Sequence, residues 1–167
     1  MRDIKQHYEL GKSKKIILPD RKMFESSNFL DLDDKALKSK IYVHPTICER
    51  IKEELNNNWD KDLKIKYDQM NGFLLNFLPG ENSLLKRLIK RNREIKNLDG
   101  GKLNPDSYSF LMAGAAIAIN RGGSIMLSDD EDLGEAYSKL IYKNSYLKSG
   151  DFSLYKSHSF GFEEVGN

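Results

Sequence analysis

The amino-acid sequence predicts an α/β fold with three layers, α/β/α, around a mainly parallel central sheet. Two short runs, Lys15–Leu18 and Ser124–Leu127, are almost continuously apolar, as strands buried on both faces are. Such runs alternate with segments of helical period, and parallel neighbours require crossovers of that kind. At 167 residues, 39% of them hydrophobic and 31% charged, the chain suits one domain with its own core and leaves little room for a second.

Residues 1–14 are polar and unpatterned, an accessory segment ahead of a single domain over residues 15–167. Lys15–Leu18 is predicted as a strand, and the Pro19-Asp20 that ends it sets Asp20 just past its C-terminal end. Asp31, Asp33 and Asp34 precede a second apolar run, Ile41-Tyr42-Val43, which stops at His44-Pro45. A helix is predicted from there: Pro is tolerated in the first turn, Thr46 is a candidate cap, and Ile47, Ile51 and Leu55 recur every four residues. Glu49 and Glu53 share one face of it, and Asn56-Asn57-Asn58 closes it.

Residues 56–69 are mostly polar, and the alternation of Leu63, Ile65 and Tyr67 predicts at most a weak strand. Phe73–Leu78 suits either a third strand or a buried helical turn, since a short apolar run does not settle the period. Lys86 to Lys96 places six cations in eleven residues with apolar residues at helical spacing. That segment reads either as a phosphate-contacting helix, with Lys86, Arg87, Lys90 and Arg91 as contacts, or as a solvated helix face. A turn follows at Asp99-Gly100-Gly101. Asn104-Pro105-Asp106 opens a helix whose Ala113, Gly114, Ala115, Ala116 and Ala118 permit close packing on a sheet, and Arg121-Gly122-Gly123 ends it. Ser124–Leu127 is a strand that runs into Ser128-Asp129-Asp130-Glu131-Asp132-Leu133 and another amphipathic helix. Phe152–Phe160 alternates as a half-exposed edge strand would.

Several function classes recede on composition. No apolar run approaches the roughly 18–20 residues of a membrane span, and the N-terminus lacks a signal-peptide core, so a cytoplasmic protein with no membrane partner is expected. Cys48 is the only cysteine, which excludes an internal disulfide, and three scattered histidines make a zinc site a poor expectation. Cys48 also reads as a packed small side chain, with no His–Cys arrangement to make it a nucleophile. With 27 basic and 25 acidic residues, net charge gives no bulk attraction for nucleic acid, so the distribution of charge carries the argument. His44 reads as a capping or packing residue, or as a substrate contact near the strand's end.

In a parallel α/β sheet the functional site lies at the C-terminal ends of the strands, where Asp20 and the 128–132 acids fall. Carboxylates gathered from distant segments raise one another's pKa and persist at neutral pH only with a cation to share. Asp20, Asp106 and Asp130 are the candidate ligands, and an all-oxygen site suits Mg²⁺ or Mn²⁺. The competing explanation is local, because acids at helix N-termini are favoured by capping and by the helix dipole.

The segment Asn104–Leu133 resembles the C-terminal half of a PIN domain: an Asp opening an Ala-rich helix, a Gly, an apolar strand and a Thr/Ser-Asn-Asp-x-Asp-Phe/Leu turn, here Ser128-Asp129-Asp130-Glu131-Asp132-Leu133. The strand ending in Asp20, and the helix that begins near His44-Pro45 and carries Glu49, are similar to the N-terminal half. The resemblance covers roughly residues 15 to 160. It implies a metal-dependent endoribonuclease that hydrolyses RNA with metal-activated water, and a catalytic set of Asp20, Glu49, Asp106 and Asp130. It implies Asp20, Asp106, Asp130 and Asp132 as ligands of Mg²⁺ or Mn²⁺, with Asp132 outer or alternative. It further implies RNA as substrate and an antitoxin, another protein or a second copy of the chain as partner, the small proteins of this family often being toxins.

Two departures accompany the resemblance. Family spacing after the Pro puts its Glu at the site of Arg50, so Glu49 is one residue off and Glu53 about one turn late. The family's first strand usually ends in Asp-Thr/Ser-Asn/Ser, whereas here Arg21-Lys22 follows Asp20 and either offsets charge, contacts phosphate or marks a site that no longer cuts. The alternative to the nuclease is thus a catalytically degenerate PIN-like domain that binds RNA or a protein partner.

Overall fold

The computed structural model describes residues 15–26, 39–147, 151–158 and 161–165. The segment 1–14 and the acids Asp31, Asp33 and Asp34 lie outside these residues.

The two apolar runs pair with each other. Strand β1 (Ile16–Pro19) lies parallel to β4 (Ser124–Leu127), with Pro19 opposite Leu127. Strand β5 (Phe152–His158) continues the sheet parallel to β4, and β6 (Gly161–Glu164) closes it antiparallel to β5. The order is β1-β4-β5-β6, a mixed and mostly parallel sheet. On the free side of β1, Ile41 forms an isolated parallel bridge to Ile17, and Val43 another to Leu74. The run Ile41–Val43 therefore pairs one residue at a time, and Phe73–Leu78 is neither a full strand nor a helical turn. A separate two-stranded hairpin, β2 (Asn97–Leu98) with β3 (Gly101–Lys102), forms around Asp99-Gly100.

Among the described residues six helices surround the sheet: α1 (Arg21–Ser26), α2 (Pro45–Asn57), α3 (Lys61–Asn71), α4 (Pro79–Arg91), α5 (Pro105–Arg121) and α6 (Glu131–Lys143). Alternation along the strands sends side chains into two cores. Ile17, Ile125 and Leu127 pack with Met23 of α1, Ile51 and Leu55 of α2 and Met70 of α3. Leu18, Met126, Phe152 and Leu154 pack with Leu88 of α4, Leu111 and Ala115 of α5 and Leu140 of α6. Among the described residues no helix is long and apolar enough to cross a membrane.

Helix α5 is apolar nearly all round because it is enclosed by α4, α6 and the sheet. Gly114 allows its close approach: a Cβ there would lie 2.5 Å from Met126 Sδ and 2.9 Å from Phe152 Cε1. Gly122, at φ 81°, ends the helix in the left-handed conformation.

Three expectations change. The weak strand over Leu63, Ile65 and Tyr67 is helix α3, nucleated by Asp60, whose side chain accepts from the Asp62 and Leu63 amides, and buried along Leu63, Tyr67 and Met70 while Ile65 faces solvent. Strand β5 is interior, because β6 covers it. The basic segment is two elements, since buried Asn92 ends α4 by donating from Nδ2 to the Leu88 carbonyl at 2.9 Å, and a 3₁₀ turn carries Arg93–Lys96.

Candidate functional site

The register of β1 against β4 sets Asp20 beside Ser128, one residue past the paired Pro19 and Leu127. The Asp20 amide donates to the Leu127 carbonyl at 2.9 Å, extending the ladder by one step. Asp20 Oδ1 then accepts from the Met23 amide at 2.8 Å, capping α1, while Oδ2 accepts from the Ser128 hydroxyl at 2.5 Å. Burial pushes the Asp20 carboxyl above its ordinary range against these two hydrogen bonds, and the charges of Asp129 and Asp130 push the same way.

Asp130 is the N-cap of α6, its Oδ1 accepting from the Asp132 amide at 3.0 Å and the Leu133 amide at 3.4 Å. Asp129 turns toward β5, where Oδ1 accepts from the Ser157 amide at 2.6 Å and Oδ2 from its hydroxyl at 2.7 Å. Asp106 stands in the first turn of α5, behind the Asn104 cap. Asp20, Asp106, Asp129 and Asp130 all line one cavity of about 590 Å³, and so do Arg21, Lys22, His44 and Arg50. The first turns of α2, α5 and α6 reach the same cavity and direct the positive ends of their dipoles toward it.

Asp106 is not free to face the cavity alone. Arg50 Nε donates to its Oδ2 at 2.7 Å and Nη2 to its Oδ1 at 3.1 Å, a bidentate grip across 56 residues of chain. Arg50 Nη1 also donates to both oxygens of Glu53, at 3.1 and 3.0 Å. The guanidinium holds the Asp106 carboxyl below its ordinary range, and Asp106 and Glu53 in turn raise the pKa of Arg50.

His44, not Thr46, caps α2: its Nδ1 accepts from the Thr46 amide at 3.1 Å. The ring is buried between Phe77 and Phe110, with centroids 5.9 and 6.3 Å away. Burial lowers its pKa to about 4 despite the charge of Asp106.

The structure thus brings together Asp20, Asp106, Asp130, Arg21 and Lys22 of the expected residues. Glu49 and Asp132 are exposed and do not line the cavity, nor do Lys86, Arg87, Lys90 and Arg91 on the outer face of α4. The Tyr108 hydroxyl in the second turn of α5 donates to the Ile89 carbonyl at 2.7 Å, joining the C-terminal end of α4 to the helix that carries Asp106. Arg21 is tied to Glu54 at 2.6 Å. The Ser128–Asp20 bond, the bonds of Asp129 to Ser157 and the pairing of Arg50 with Asp106 are the features that sequence reasoning missed. Arg50 carried a signal, because the family's spacing pointed at its position.

A divalent ion shared by Asp20, Asp106 and Asp130 competes with Arg50 for the same carboxylate oxygens. Among the described residues no three His, Cys, Asp or Glu side chains stand together as a ready ligand set. Arg50 engages both oxygens of Asp106, so a metal held by Asp20, Asp106 and Asp130 requires that guanidinium to move aside.

Comparison of the chain with protein-family models, with curated proteins and with solved structures finds no match.

Proposed function

We propose that this chain is a PIN-like domain, three layers with a central parallel sheet, that binds single-stranded RNA without cutting it. The bidentate pair of Arg50 with Asp106 carries the reading. A permanent cation from the chain itself neutralises the acid that the resemblance assigns to a metal, at the position where the family has its Glu. RNA is favoured over a protein partner by the outer face of α4. Lys86, Arg87, Lys90 and Arg91 are exposed there and engaged in no ion pair among the described residues. Fixed cations along one face are an electrostatic footprint for a phosphate backbone.

A second reading rests on a different observation: Asp20, Asp106 and Asp130, far apart in sequence, line one cavity. It is the Mg²⁺- or Mn²⁺-dependent endoribonuclease, for which Arg50 must release Asp106. The experiment is anisotropy and cleavage of labelled single-stranded RNA with Mn²⁺, Mg²⁺ or EDTA, for wild type, Asp130→Asn and a Lys86→Ala/Lys90→Ala variant. Binding in EDTA without cleavage, weakened in the lysine variant, is the expected result. Metal-dependent cleavage lost in Asp130→Asn establishes the nuclease instead, and neither binding nor cleavage sinks both.

A further inference from the structure

We infer that His44 is a neutral hydrogen-bond donor that receives the carbonyl oxygen of an RNA base inserted into the cavity, an inference that rests on the RNA-binding reading above. The chain of argument starts at the cap. Because Nδ1 accepts the Thr46 amide hydrogen, it carries no proton, and a neutral imidazole then carries its proton on Nε2. Protonating Nδ1 breaks the cap and sets a positive charge on the positive end of a helix of 13 residues, so the neutral form persists.

The ring is 6% exposed and lines the cavity. Nε2 has no hydrogen-bond partner among the described residues and is not sealed from solvent, and the ring lines the cavity, so we assign its N–H to that space. The contacts with Phe77 and Phe110 fix the direction of that donor.

The surroundings select the acceptor. Asp20, Asp106, Asp129 and Asp130 share this lining with Arg21, Lys22 and Arg50, so the charges nearly balance and a neutral base enters without repulsion. Met23, Ile47, Phe110 and Leu133 supply apolar wall, and about 590 Å³ lies within the range of small-ligand sites. The phosphate backbone stays outside on the α4 cations, and one base turns inward, the usual way in which single-stranded RNA is read. An exocyclic carbonyl, as in uracil, meets the Nε2–H donor. Adenine has no such oxygen.

The variant for the test is His44→Asn, because Asn caps a helix well through Oδ1 but is too short to present a donor where Nε2 lies. Affinities of wild type and variant are measured for short oligo(U), oligo(A) and an abasic oligomer of equal length. Nitrogen NMR of the free wild-type protein at pH 7 reads the tautomer of His44. The expected result is the Nε2–H tautomer, a preference for oligo(U) over the abasic oligomer, and loss of that preference by about tenfold in His44→Asn with abasic binding unchanged. An Nδ1–H tautomer or an imidazolium overturns the inference. So does equal wild-type affinity for oligo(U) and the abasic oligomer, or an unchanged preference in His44→Asn, and in both of these the RNA-binding reading survives. A wild-type protein that binds none of the oligomers removes that reading and this inference with it.

Discussion

Acidification strains the fold at His44, and the size of the effect follows from its surroundings. The unfolded chain takes up a proton on this side chain near the ordinary value of 6.5, whereas the folded chain holds out to about 4, because burial of the ring outweighs the opposing charge of Asp106. Between those values the unfolded state binds more protons, so stability falls as the pH drops, and above about 6.5 the full contribution is present. A gap from 6.5 to about 4, at about 1.4 kcal/mol per pH unit, amounts to about 3 kcal/mol. His44→Asn keeps the cap and does not titrate. Urea unfolding at pH 7 and pH 4 for both chains isolates the histidine, because all other groups change alike. The wild type is expected to lose about 3 kcal/mol more than His44→Asn between the two conditions. Parallel losses would refute the reasoning, since they would mean that His44 is as free to protonate in the folded chain as in the unfolded one.

Three further perturbations test the packing of the fold and the charge of the site. Gly114→Ala presses a methyl against Met126 and Phe152 and is expected to cost about 1–3 kcal/mol in urea unfolding, with a wild-type midpoint showing that both side chains yield freely. Glu81 is fully buried and gripped by Arg121 at 2.6 and 2.8 Å, so Arg121→Met strands a carboxylate and is expected to cost about 3–5 kcal/mol, while the double change Glu81→Leu/Arg121→Met recovers most of it; a double variant no better than the single contradicts the pairing argument. Burial raises the Asp20 pKa, so its favourable contribution is present at low pH and lost as pH rises through the folded value. Asp20→Asn, which can still cap α1, is therefore expected to melt above wild type at pH 7, with the gap closing by about pH 3, and a variant that melts lower at both values contradicts the sign.

How much of the fold was legible depended on whether local and tertiary signals agreed. At β1, β4 and α5 they did: the apolar runs have the length of buried strands, Asn104-Pro105 starts a helix and Gly122 ends it. At α3 they conflicted. Leu63, Ile65 and Tyr67 alternate like a strand, but Ile65 points to solvent and Met70, three residues past Tyr67, completes a helical stripe that packs only once Ile51 and Leu55 of α2 are there to receive it. Strand β5 was misplaced for a related reason. Whether a strand lies at an edge is a property of its neighbour, and nothing within Phe152–His158 announces β6.

The site was legible as a set of acids and illegible as a set of charges in balance. In a parallel sheet, helices begin where strands end, so an acid at that junction both caps a helix and faces the functional cavity. Asp20 caps α1 and Asp130 caps α6, and both line the cavity. Capping and ligation are thus not rival explanations that spacing can separate, because the same geometry satisfies both. What distinguishes them is the cation that balances the cluster, and that cation comes from a helix 56 residues away in the chain. Arg50 is informative for this reason: an arginine stays charged at any pH where the protein folds, so unlike a bound ion it cannot be removed by chelation or competed off by a proton. Arg50 therefore balances Asp106 with a charge that the chain itself carries, in a cavity that Arg21 and Lys22 also line.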